Sequence, residues 1–174
     1  MPSLHPSAAV VFAERPRVSA DVRPRQRTNM IESAWLVFQD EKYVVEQCRG
    51  VPLPGYLVVR PRAKVRGLAV LSDQDAGALG ILLRRLVQAI ELSVRPVRVY
   101  VAQFGEEDES LHFHLFPRTE ALTRKYLQEF PEQRAALHGP LLLDWARERF
   151  RGVEVSEEAL RVLNGLKDYM TTEA

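Results

Sequence analysis

One cysteine, no long apolar run and almost no net charge limit what this chain can be. The single cysteine, Cys48, excludes an intrachain disulfide and any multi-cysteine zinc site, and it fits a reducing compartment. It reads as a buried or half-buried strand residue rather than a nucleophile. No apolar stretch approaches the roughly 20 residues that span a bilayer. The run Ala8-Ala9-Val10-Val11-Phe12-Ala13 is too short for a secretory core and has no basic segment before it. A cytoplasmic protein with no membrane partner is therefore expected. A formal net charge of +1 lacks the basic excess of a general nucleic-acid binder, so any affinity for a polyanion must be local. No internal repeat or low-complexity tract is present, and 174 residues with 46% hydrophobic content fit one compact domain with added pieces.

Along the chain, residues 1–29 hold four prolines and five arginines against Glu14 and Asp21, without a helical or strand period, and read as an extended arm. His5 and the arginines Arg23, Arg25 and Arg27 belong to that arm and are read as solvated or partner-draping, with phosphate contact by the arginines as the alternative. Residues 34–38 and 42–46 form apolar runs around the polar turn Gln39-Asp40-Glu41, which predicts a hairpin. A turn at 52–55 leads to a third strand over 56–60. Ser72-Asp73-Gln74-Asp75 resembles a capping box, and Leu79, Leu82, Leu83, Leu86 and Ile90 follow as a helical stripe. Pro96 stops it. Residues 97–103 and 110–116 supply two more strands, so the order is α+β with an antiparallel sheet and a helix on one face. After Arg118 the pattern turns helical. Pro131 and Pro140 suit first-turn positions, Leu141, Leu142, Trp145 and Phe150 suit one buried side, and Ser156 suits a cap for a helix reaching Met170. Nothing after Arg118 reads as chemical. The segment is expected to cover the sheet or complete a dimer, with His138 exposed between helices.

The informative stretch is Gln103-Phe104-Gly105, the acidic link Glu106-Glu107-Asp108-Glu109, and then Ser110-Leu111-His112-Phe113-His114-Leu115-Phe116-Pro117-Arg118. Alternate side chains of a strand share a face, so Ser110, His112 and His114 point one way and Leu111, Phe113 and Leu115 the other. Phe113 and Leu115 are then expected beneath the helix over 72–92, with both histidines facing a cleft. This pattern resembles the histidine triad (HIT) family of nucleotide hydrolases and transferases, whose signature is three histidines at alternate strand positions, often followed by Pro-Arg. The resemblance spans about residues 30–118 and includes Pro54-Gly55-Tyr56-Leu57-Val58-Val59-Arg60-Pro61-Arg62, similar to the family's Pro-Gly-His strand and basic turn. Ser110 stands where the family has its first triad histidine, and Tyr56 where it has the histidine after Pro-Gly. The resemblance implies a HIT-like antiparallel sheet of five strands with a packed long helix, and a homodimer. The domain expectation is an arm over 1–29, a HIT-like domain over 30–120 and a C-terminal helical extension over 121–174.

By the same resemblance, His112 is the nucleophile that attacks the α-phosphorus of a nucleotide. A free imidazole, with a pKa of about 6.5, is mostly neutral at pH 7 and offers a lone pair without a separate base. Its other nitrogen needs an acceptor, which in the family is a backbone carbonyl of the same strand, and Ser110 retains that backbone. His114 is implied to sit against the phosphate and bridging oxygen as a donor. Gln103 and the Ser110 hydroxyl are implied phosphate donors, and Gly105 either lets backbone approach the phosphate or makes a tight turn. Arg118 reads as a solvated residue at a strand end, and Arg60 and Arg62 as an exposed basic turn, with contact to phosphate or to a partner subunit as the alternative. No cofactor and no protein-bound metal is implied, although His-x-His beside acidic residues is also a metal-ligand pattern. The expected ligand is a purine nucleotide or nucleotide conjugate. One reading is an enzyme cleaving a phosphoanhydride or phosphoramidate through a nucleotidyl-histidine; the other is a nucleotide-binding sensor or scaffold without turnover. Four carboxylates in the link would repel a polyphosphate, favouring either a less anionic substrate, such as one with an amine leaving group, or a link that points away.

Overall fold

A computed structural model describes residues 34–105 and 108–172. The arm expected over residues 1–29, including His5, lies outside them. The hairpin forms as β1 (Leu36–Gln39) and β2 (Tyr43–Gln47), where the Asp40 carboxylate accepts from the Lys42 and Tyr43 amides and shapes the turn. Next come β3 (Leu57–Pro61), α1 (Asp73–Val94), β4 (Arg98–Ala102) and β5 (Phe113–Arg118). The five strands form one antiparallel sheet in the order β1-β2-β3-β5-β4. Three further helices follow: α2 (Glu120–Glu129), α3 (Gly139–Arg149) and α4 (Glu157–Thr172).

Each helix begins where its sequence provides a cap. The Ser72 hydroxyl accepts from the Asp75 amide at 3.1 Å and donates to the Asp75 carboxylate at 2.7 Å, a variant of the capping box. Thr119 caps α2 and Ser156 caps α4 in the same way. His138 is exposed as expected and caps α3, its Nδ1 accepting from the Leu141 amide at 3.3 Å, with Pro140 in the first turn. α1 ends at Arg95 in the left-handed conformation (φ 49°) immediately before Pro96.

Strand alternation divides the molecule into two cores. Leu57 and Val59 of β3 and Phe113 and Leu115 of β5 face α1, whose Leu79, Leu82, Leu86 and Ile90 are buried against them. α4 joins this face through Leu163, Leu166 and Met170. On the other face Tyr56 and Phe116 pack with Leu122 and Tyr126 of α2 and Leu142, Leu143 and Ala146 of α3. The extension thus covers both faces of the sheet. Leu141, Trp145 and Phe150 are only half-buried around the smaller core, and Leu143 and Ala146 complete its buried side instead.

One strand boundary differs from expectation. The segment 110–116 reads as a strand, yet the ladder begins at Phe113. The backbone before it is engaged elsewhere: the Ser110 amide donates to the Asp108 carboxylate at 2.9 Å, and the Leu111 amide donates to the Val65 carbonyl at 2.6 Å. The alternation survives this departure, since Leu111 is buried with Phe113 and Leu115 while His112 and His114 lie on the opposite side.

Candidate functional site

His112 and His114 line a cleft of about 730 Å³ between the basic turn after β3, the loop at Phe104 and Gly105, and helix α3. Their rings meet edge to face with centroids 5.0 Å apart. His112 Nδ1 lies 2.8 Å from the Ser110 carbonyl oxygen. A carbonyl only accepts, so Nδ1 carries the proton and the Nε2 lone pair is left available.

His114 is held from behind. It is only 8% exposed, and its Nδ1 is 3.0 Å from the hydroxyl of Tyr56, which is fully buried. The Cys48 thiol bears on the same hydroxyl from behind. A thiol is a weak partner in either role, whereas an imidazole lone pair is a strong acceptor, so the phenol donates to His114 Nδ1. Nε2–H of His114 is then a neutral donor. Burial pushes the His114 imidazole down to about 4, with the neighbouring His112, Arg147 and Arg60 adding in that order. Burial also raises the Tyr56 phenol well above its ordinary range and raises Cys48, which fits a structural thiol. Tyr56 can occupy this place because Gly55 turns the chain at φ 74°, where a Cβ would come within 2.7 Å of Val94 Cγ2.

The remaining expected residues divide. Ser110 and Gly105 reach the cleft. The Ser110 hydroxyl is engaged with Asp108, whose carboxyl is held below its ordinary range by the Ser110 amide and then by that hydroxyl. A Cβ at Gly105 would meet Gln103 Nε2 at 3.9 Å, an ordinary contact, so packing among the described residues does not require glycine there. Gln103 does not line the cleft; it is exposed, and its amide donates to the Phe104 carbonyl at 3.0 Å. Arg118 points away, with Nε donating to Thr123 Oγ1 at 3.2 Å.

Two cleft residues come from a region that reads as chemically silent in the sequence. Asp144 and Arg147 project from α3, so the extension forms a wall of the site as well as covering the sheet. Arg60, Arg62 and Lys64 also line it, giving four cationic side chains against the carboxylates of Asp108 and Asp144. Glu109 is turned toward Arg66 at 3.3 Å, with both side chains largely in solvent, while Glu106 and Glu107 lie outside the described residues. The described lining is therefore basic, the reverse of what the acidic link suggests. Among the described residues, no three His, Cys, Asp or Glu side chains are grouped to hold a metal ion. None of the described helices is long and apolar enough to cross a membrane.

No protein-family profile and no curated protein sequence matches the chain. Among solved structures it is similar to a Hit-like protein involved in cell-cycle regulation from Bartonella henselae, with 14% identity, 77% of this chain and 84% of that one covered, and a TM-score of 0.51. It is similar also to a hypothetical histidine triad nucleotide-binding protein from Sulfolobus tokodaii, at 13% identity, 83% and 90% coverage and a TM-score of 0.53. A zinc-bound histidine triad family protein from Mycobacterium smegmatis is similar at 10% identity, 83% and 91% coverage and a TM-score of 0.52. At such identities the likeness is one of fold: the five-stranded antiparallel sheet with its helices is that of histidine triad proteins.

Proposed function

We propose that this protein binds a purine nucleotide or nucleotide conjugate and acts as a hydrolase or nucleotidyl transferase, cleaving at the α-phosphate through a nucleotidyl-histidine on His112. The observation that carries this is the 2.8 Å hydrogen bond from His112 Nδ1 to the Ser110 carbonyl, in a cleft shared with His114. Nε2 of His112 forms the N–P bond while the bond from phosphorus to the leaving group breaks, its electron pair departing with that group. The Nδ1–H bond to the carbonyl stabilises the cationic adduct. Nε2–H of His114 hydrogen-bonds the leaving atom as charge develops. An incoming water or other acceptor then forms its bond to phosphorus, loses a proton and returns the electron pair to Nε2. The fold shared with a protein described as nucleotide-binding supports the ligand class. A homodimer in the cytoplasm completes the proposal.

Acid quench during turnover of a substrate labelled at the α-phosphate should leave label on the peptide containing His112, and His112→Ala should abolish both label and turnover. Full activity in that variant would overturn the mechanism. A second reading, a sensor that binds without turnover, is favoured by Ser110 and Tyr56 standing where the family pattern has imidazoles. Saturable nucleotide binding with no product from dinucleoside polyphosphates, phosphoramidates or acyl adenylates would select it.

A further inference from the structure

The four cations of the cleft are not equally committed. Arg60 pairs with Glu46 at 2.9 Å, and Arg62 bonds the Asp40 carbonyl at 2.6 Å and the Gln39 side-chain oxygen at 2.7 Å. Lys64 is exposed to water. Arg147 is different: it is half-buried, it lines the cleft, and its side chain has no hydrogen bond or ion pair among the described residues. Asp144, one turn earlier on α3, is exposed and makes no ion pair with it. A guanidinium partly withdrawn from water without a partner carries a solvation cost that an incoming anion relieves. Its position is also specific. Arg147 and His114 line the same cleft, and the Arg147 charge bears on His114, so an anion held between α3 and His114 would meet both.

We propose that Arg147 binds the anionic leaving group, so that the substrate is a phosphoanhydride whose second phosphate lies toward α3, rather than a phosphoramidate releasing an amine. This rests on the nucleotide reading of the cleft. The planar guanidinium fork matches two phosphate oxygens, and the basic excess of the described lining favours the added charge. The C-terminal extension thereby selects the substrate as well as packing on the sheet.

Calorimetric titration of the full chain with AMP, ADP and inorganic pyrophosphate, repeated for Arg147→Gln and Arg147→Lys, tests this. ADP presents a second phosphate that AMP lacks. Arg147→Gln should weaken ADP and pyrophosphate by about 10- to 100-fold while changing AMP by less than about threefold, and Arg147→Lys should recover part of the loss. ADP binding unchanged in Arg147→Gln, or AMP and ADP weakened equally, would overturn the inference and leave the nucleotide reading standing. Pyrophosphate binding that depends on Arg147 in a protein that binds neither nucleotide would keep Arg147 as an anion ligand and sink the nucleotide reading. Absence of all three ligands from the wild type would overturn both.

Discussion

Tyr56 and His114 form the pair on which the chemistry of single residues turns. A tyrosine after Pro-Gly in place of a histidine looks in the sequence like a departure from the family pattern, whereas the 3.0 Å contact makes it the group that orients His114. Tyr56→Phe should remove the donor and leave the buried imidazole nitrogen unsatisfied, costing about 1–3 kcal/mol of stability. ¹⁵N NMR of His114 should show the Nε2–H tautomer in the wild type and a tautomer mixture in Tyr56→Phe. A pure Nε2–H signal in the variant would show that some other group sets the tautomer. The depressed His114 pKa has a signed consequence for stability. Its folded value of about 4 lies below the unfolded value near 6.5, so the unfolded chain takes up the proton first as pH falls. Stability attributable to His114 is whole above about 6.5 and declines toward about 4, by up to about 3 kcal/mol. Urea unfolding at pH 7.5 and pH 5 should show this decline, and His114→Phe, which cannot titrate, should shrink it.

Among the elements, α1 is the one most completely written in the chain. Its cap at Ser72, its buried stripe and its stop before Pro96 are all local signals, and each appears in the structure. Ser72→Ala should lower stability by about 1 kcal/mol in thermal or urea unfolding, the ordinary cost of a lost N-cap. Helix α3 is the opposite case. Its cap and Pro140 are legible, but the side it buries is set by Phe116 and Tyr126, and its start is pressed against Tyr100, where a Cβ on Gly139 would lie 2.5 Å from Cε1. Gly139→Ala should therefore displace α3, cost about 1–3 kcal/mol by overpacking, and weaken pyrophosphate binding through Arg147. Unchanged stability and pyrophosphate affinity in that variant would show that α3 is not held by this contact.

For the whole molecule, a net charge of +1 conceals an uneven distribution, with a basic excess gathered at the described cleft lining. That placement gives the histidines locally positive surroundings although the chain as a whole is nearly neutral. On edge strand β4 Val101 is 44% exposed, Val97 just before it is 58% exposed, and Leu92 near the end of α1 is 67% exposed. α4 already covers the apolar surface of α1 near β1, so the β4 edge supports the homodimer proposal. Light scattering at micromolar concentration should give the mass of two chains, and Val101→Lys should shift it toward one. A monomer in the wild type would overturn the proposal.

What the sequence determined by itself was local and periodic. A period of two placed Phe113 and Leu115 on one face and His112 and His114 on the other, and caps with a 3.6-residue period located the helices, because these signals depend only on neighbours along the chain. The strand ladder nevertheless began at Phe113, since the bonds that remove Ser110 and Leu111 from it include the distant Val65 carbonyl. The Ser110 carbonyl beside His112 is a local partner, whereas tertiary structure alone decided the partner of His114 and the charge around both histidines. Nothing near residue 147 in sequence distinguishes it from the other arginines of an amphipathic helix, and nothing near Tyr56 announces a bond to a residue 58 positions away. Those roles arise only when β3 pairs with β5 and α3 packs on Tyr56 and Phe116, because hydrogen bonding and desolvation act through space over a few ångströms, whatever the separation along the chain.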